Sequence, residues 1–205
     1  MTDNHASDRK RELLDAAVEY LVRHGAADTS LRPLAAAIGS SARLLIFHFT
    51  SKERLLGEVL TEIQRRLRGS LATLGSAPDG ARPTSPMLRF WAWATARENL
   101  PYLRLLYEVH FITLQNPRAF GPRVHKVSAE WIPLIEARLP PPLRDRATAT
   151  LCIAVFDGLM IELLGTRDLV RTTDSMERFV AMLRLAAGDA EPRPTRTKRA
   201  KRAAR

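Results

Sequence analysis

Few residues in this chain have the type and spacing for bond-making chemistry. No His-x-x-x-His or Glu-x-x-His pair is placed to hold a metal on one helix face. Gly-x-Ser-x-Gly, the phosphate-cradling glycine loop and Gly-x-Gly-x-x-Gly are missing as well. The single cysteine, Cys152, lies in an apolar stretch without a base partner and reads as an inert core thiol. One cysteine also excludes an internal disulfide and a cysteine cluster for zinc. No cofactor and no metal is therefore expected.

The residues that stand out are suited to contact rather than reaction. They gather in "GSSARLLIFHFTSKE", residues 39–53. Arg43 opens a short helix there, and arginine can pair bidentately with guanine O6 and N7; the alternative is a solvated or ion-paired arginine. Leu44 suits a thymine methyl group or the core equally. Lys52 begins a long helix, where an ammonium beside free N–H groups suits a phosphate; otherwise it is a free surface lysine. Ser40 and Ser41 read first as turn and cap residues and second as phosphate contacts. Thr29 and Arg32 flank the start of the preceding helix and are candidates for backbone contacts. His48 reads as a packed or phosphate-facing histidine rather than a catalytic one, and Phe47 stands even between core and groove.

A second group lies downstream. Trp91, Tyr107, Phe111, Trp131 and Phe156 are aromatic, with His110 and Asp157 among them. A small-molecule pocket between helices needs that mix of apolar walls and few polar anchors. Plain core is the competing explanation and wins for most aromatic positions. Asp157 is the sharpest oddity, because a charge inside an apolar run must find a partner. Structural uses of Asp157 together outrank ligand contact.

The elements that position these residues are helical throughout. Leu13, Leu14, Ala17, Val18, Leu21 and Val22 form one face over 9–24, and Gly25 suits its end. Ser30 can cap 31–38, with Pro33 inside the first turn. Gly39 stops that helix, and Ser41 can cap a third over 42–48. Thr50 and Glu53 have capping-box spacing before a helix over 51–70. "GSAPDGARPTSP", 75–86, is a linker. Helical patterns then run over about 87–98, 101–115, 122–138, 143–165 and 173–187, about nine helices in all, with no strand and no internal repeat. Two short helices joined by a glycine turn, 31–38 and 42–48, describe a helix-turn-helix, whose second helix enters the DNA major groove. Leu45 and Phe49 should point inward.

The ordered set Gly25, Ser30, Leu34, Ala35, Gly39, Ser41, His48, Phe49, Ser51, Lys52 and Glu53 within 11–60 resembles the N-terminal region of TetR-family transcriptional regulators. The "LRPLAAAIG…LLIFHF" wording resembles a subset common in high-GC actinobacteria. The resemblance covers about a quarter of the chain; the rest is similar in layout only. It implies an all-α fold with a helix-turn-helix domain at 1–50, a ligand-binding and dimerisation domain at 51–188 and a basic tail at 189–205. It also implies a homodimer, a palindromic double-stranded DNA operator and a small-molecule effector. Two departures stand out. Many relatives have Gly or a small polar residue where Arg43 and Leu44 stand, and Ile46-Phe47 replaces the usual tyrosine and its phosphate-donating hydroxyl.

Composition is consistent with this. The chain has 205 residues, 45% hydrophobic, with net charge +10. Residues 192–205 contribute seven basic side chains and no acid, leaving 25 basic against 22 acidic residues, so the body is only +3. Such a tail reads as a disordered, solvated arm that adds sequence-independent affinity for phosphates. The N-terminus lacks a signal-peptide core, and the apolar run 149–165, interrupted by Asp157 and Glu162, reads as short for a membrane span. A soluble, cytoplasmic protein is expected. The residues favour a homodimeric, ligand-responsive repressor over a small helical enzyme acting on a hydrophobic substrate. They also favour it over a loosely specific DNA-coating protein. The 149–165 helix and 173–187, with the stripe Met176, Phe179, Val180, Leu183 and Ala187, are expected to pair with their copies in a four-helix interface.

Overall fold

A computed structural model describes residues 2–73, 85–120 and 123–188. The basic tail and most of the 75–86 linker lie outside the described residues. Among those described there are ten α-helices and no strand: α1 (Thr2–His24), α2 (Leu31–Ala37), α3 (Ala42–Phe49), α4 (Lys52–Thr73), α5 (Pro86–Thr95), α6 (Leu100–Gln115), α7 (Pro117–Phe120), α8 (Arg123–Glu136), α9 (Arg146–Thr166) and α10 (Leu169–Ala186). The all-α expectation holds. The helix beyond the expected nine is α7, four residues inside the segment read as a connection.

The first three helices form a head. One apolar core runs from Leu13 and Leu45 in that head, through Leu55, Val59 and Ile63 of α4, to Met160 and Val180 in the body. Head and body therefore share a core, and α4 carries it across. Lys10 pins the head from outside: its ammonium bonds Glu58 Oε1 at 2.8 Å and lies 5.3 Å from the Phe49 ring centre.

The start of α4 differs from expectation. Thr50 ends α3 with φ +65°, so it cannot adopt the extended backbone of an N-cap. Ser51 takes that role, its Oγ accepting from Arg54 N at 3.2 Å. A β-branched residue at positive φ is strained. The strain sits at the joint between α3 and α4.

The α10 stripe also differs. Met176 is fully buried and Val180 is 4% exposed, while Phe179 and Leu183 pack against the core. They are the helix's inward face. Val170, Met182 and Leu185 are outward, at 73%, 59% and 65% exposed. On α9 only Ala149, Cys152, Met160 and Leu163 are buried. Helix α9 is 21 residues long, longer than the apolar run read in the sequence, and an 18-residue window of it has mean hydropathy 1.8, a length and composition that the core helix of a soluble protein shares with a membrane span. Asp145 caps it, accepting from Ala147 N at 2.8 Å and Thr148 N at 3.0 Å.

At the junction of α1, α4 and α6, Arg66 reaches three carboxylates: Asp15 at 2.6 Å, Glu62 at 2.8 Å and Glu19 at 3.0 Å. Tyr102 of α6 donates to Glu19 at 3.1 Å. Burial alone would lower the Arg66 pKa; its hydrogen bonds with Glu62, Glu19 and Asp15 outweigh that and raise it. Bonds from Arg65 and Arg66 hold Glu62 at about 2, against an ordinary 4.5, although burial opposes them. A carboxylate lowered in the folded state stabilises above its unfolded pKa, and that stability is lost as pH falls through the folded value. Thermal stability is therefore expected to decline between roughly pH 5 and pH 2, and Glu62→Gln should flatten the decline, as read by melting curves across that window.

Candidate nucleic-acid interface and internal cavity

The turn between α2 and α3 is built from hydrogen bonds that need a glycine. Ile38 ends α2, and Gly39 follows at φ +65°. Its N–H donates to Ala36 O at 3.2 Å and Ser40 N–H donates to Ala35 O at 2.8 Å, the paired closure of a Schellman motif. Ser41 is extended and its Oγ accepts from Leu44 N at 3.1 Å, starting α3. This geometry is a helix-turn-helix.

Within α3, Leu45 and Phe49 are 1% and 2% exposed, as their spacing requires. The opposite side presents Arg43, exposed, and Phe47, 75% exposed, one helical turn apart. Phe47 thus falls on the outward side. His48 is half-buried and meets Phe47 edge-on, with ring centres 5.1 Å apart. Leu44 packs partly against the core. Arg32 is exposed, and Lys52 is half-buried at the start of α4. Thr29 Oγ1 donates to Gly25 O at 2.8 Å and so ties the α1–α2 turn. Ser40 Oγ is buried and unpartnered among the described residues. Arg54, exposed in the first turn of α4, extends the same basic edge and was missed in the sequence, where it looked like one more surface arginine.

The second feature is a half-open cavity of about 600 Å³ in the body. Tyr107, His110, Trp131, Phe156 and Asp157 line it. Two expected residues do not. Trp91 is 2% exposed in the core, its Nε1 donating to Thr173 Oγ1 at 3.0 Å. Phe111 is 47% exposed on the outside of α6. Being aromatic and near the right positions could not tell core, surface and cavity apart. Phe90, Met87 and Leu103 contribute wall that the sequence did not single out, and Gln64 of α4 contributes a polar group. The Tyr107 hydroxyl donates to Asp157 Oδ1 at 2.7 Å. Burial pushes the Asp157 pKa up, against the lowering effects of this bond and of nearby His110. Burial and the Asp157 charge push the Tyr107 hydroxyl well up.

Helix α6 joins the two features. Leu103, Leu106, Tyr107 and His110 face the cavity. Tyr102, Arg104 and Glu108 reach the head: Glu108 Oε2 accepts from Ala26 N at 2.8 Å, and Arg104 donates to Val22 O at 3.4 Å. Ala26 is fully buried, so Glu108 is the acceptor its amide needs.

Comparison with known proteins agrees with this geometry. Residues 13–59 match the family of bacterial regulatory proteins, tetR family. No curated protein matches the chain. Among solved structures, a transcriptional regulator from Rhodococcus sp. RHA1 superposes with TM-score 0.72 at 16% identity, covering 89% of this chain and 99% of that one. A TetR-family member from Streptomyces coelicolor A3 gives 0.65 at 22%, over 85% and 97%. The multidrug binding protein EbrR, complexed with ethidium, gives 0.68 at 22%, over 85% and 98%. The tetR-family match lies in the head and the first turns of α4. Over its described length the chain has the fold of a helix-turn-helix transcriptional regulator.

Removing the Glu108 carboxylate leaves the Ala26 N–H without its acceptor. Glu108→Ala is expected to lower stability by about 1–3 kcal/mol and to speed amide exchange at Ala26, read by denaturant titration and hydrogen exchange. Unchanged exchange would show that the bond does not hold this turn.

Proposed function

We propose that this chain is a cytoplasmic, homodimeric repressor whose hold on a palindromic operator is released by a small, mostly apolar effector. The observation that carries the reading is the two-sidedness of α6, which lines the cavity with Tyr107 and His110 and holds the head with Tyr102 and Glu108. A ligand that shifts α6, or α4 through Gln64 and Leu67, would change how the heads are spaced. Two heads of a dimer must sit about 34–36 Å apart, or a multiple of that, to enter successive major grooves. EbrR, described as a multidrug binding protein and solved with ethidium and proflavin, supports the view that a body of this fold can hold a small molecule.

In this reading residues 1–50 read DNA and 51–188 bind effector and partner. Arg43 contacts a base edge. Phe47 and Leu44 lie against the groove. Thr29, Arg32, Ser40, Ser41, His48 and Lys52 serve the backbone. The partner surface is the outer stripe of α9, where Leu151 and Ile161 are 60% and 42% exposed and Ala154 and Gly158 are exposed between them, together with Met182 and Leu185 of α10. A Cβ added at Gly158 meets nothing within 4 Å, so close approach by a second helix is open there.

Two results test the reading. Arg43→Ala is expected to weaken operator binding by about 1–3 kcal/mol and to relax the preference at one base pair per half-site, measured by anisotropy on a selected site and its single-base variants. Uniform weakening across all sequences would reassign Arg43 to the phosphates. Gly158→Glu is expected to leave the monomer folded and convert a sedimenting dimer into monomer; a wild-type chain that is monomeric at micromolar concentration would remove the dimer.

A further inference from the structure

Two acceptors with spare hydrogen-bonding capacity line the cavity. Asp157 uses one carboxylate oxygen for the Tyr107 hydroxyl, at 2.7 Å. No hydrogen bond joins the His110 ring to the carboxylate among the described residues, although His110 acts on it through charge. Gln64 of α4 lines the same cavity. It is 6% exposed, and its Oε1 has no partner among the described residues. A buried carbonyl left unpaired costs about 1–3 kcal/mol, so a ligand that supplies a donor recovers that loss.

The walls around these acceptors are aromatic. Phe90 stands at their centre, 5.2 Å from Phe156 and 6.1 Å from Trp131 between ring centres. Ring faces attract cations, and more strongly where water is excluded. A carboxylate, an unpaired amide oxygen and aromatic faces together complement one kind of group.

We propose that the effector is an organic amine bound as its cation, with Asp157 as counter-ion, Gln64 Oε1 as second acceptor and its apolar part against Phe90, Trp131 and Phe156. This rests on the cavity being the effector site. The opposing charges lie elsewhere. Arg138, Arg144 and Arg184 border the same cavity; Arg138 donates to Leu134 O at 2.8 Å, Arg144 to Leu139 O at 3.2 Å, and Arg184 is exposed on α10. Arg144 is exposed, as is Thr150 beside it on the rim. Thr150 and Asp157 are seven residues apart on α9, about 10 Å along the helix. Charge at a wet rim is screened, whereas charge at the part-buried Asp157 is screened less. The two acceptors therefore decide the ligand's sign.

The test uses three probes of one shape on the full chain: phenylbutylamine, phenylbutanol and phenylbutyrate, each titrated calorimetrically. The amine is expected to bind about tenfold or more tighter than the alcohol, and the carboxylate most weakly. Asp157→Asn should erase the amine's advantage and leave the alcohol's affinity unchanged. Should Asp157→Asn fail to fold, Gln64→Leu provides the second reading, a severalfold loss for the amine alone. Equal affinity for amine and alcohol overturns the assignment, as does an Asp157→Asn or Gln64→Leu protein that keeps the amine's full advantage. Tightest binding by the carboxylate overturns it in favour of the arginine rim. Binding by none of the three overturns the effector-cavity reading itself, and this assignment with it.

Discussion

One guanidinium ties the head to the helices beneath it. Arg66 faces Asp15, Glu19 and Glu62, two carboxylates from α1 and one from its own helix. Without a cation between them, these acids would repel one another across a partly dry interface. The planar fork of arginine can bond several oxygens at once, which an ammonium does less well. Tyr102 adds α6 to the same junction through Glu19. Three helices are thus held in one register by a single charged cluster. The core beneath it, with Val18, Leu21, Val59 and Ile63 all fully buried, sets the spacing.

That junction explains why a cavity in the body can matter to a head built on other helices. Residues 103, 106, 107 and 110 lie on one side of α6, 104 and 108 on the other, and 102 at the edge between them, as a period of 3.6 dictates. A rigid helix cannot turn one face without turning the other. Coupling between such sites is typically about 1–3 kcal/mol and reciprocal, so in the proposed mechanism operator DNA weakens effector binding by the factor with which effector weakens DNA binding. Glu108 is the head-side anchor in that scheme. Its carboxylate also lies 3.1 Å from where a Cβ on Gly25 would be, and Gly25 has φ +83°, so this turn accepts only glycine without rearrangement.

Helix positions were legible in the sequence because apolar period, caps and glycine stops are local signals. Gly39, Ser41, Leu45 and Phe49 behave as their spacing requires. The cap of α4 was not legible between Thr50 and Ser51, since both are hydroxyl residues and only the backbone at Thr50 decides. The outward side of α3 was half legible: Arg43 by its polarity, Phe47 not, because an exposed phenyl ring on a small helix contradicts the expectation that large apolar residues are inside. The cavity was legible in part: His110, Trp131, Phe156 and Asp157 were named, Gln64 and Phe90 were not. Asp157 announced itself as a misfit in an apolar run, Gln64 did not, and Tyr107, Trp91, Phe111 and Phe90 differ only in which way they point.

Helix α9 shows why direction is the missing information. A helix apolar on all sides carries little periodic signal, so its sequence marks an unusual environment without naming it. In the fold its faces separate. Cys152, Phe156, Asp157 and Ile153 line the cavity, while Leu151, Ala154, Gly158 and Ile161 face out, spaced three and four apart. The wall of the cavity is therefore also the surface proposed for the partner. A ligand that presses on Phe156 or draws on Asp157 would act on α9 as well as on α6. The small residues at 154 and 158 make the outer face sensitive to such movement, because closely approaching helices lose contacts with displacements of under an ångström. In the proposed dimer the cavity would then have two outlets, one through α6 to the protomer's own head and one through α9 to the partner's.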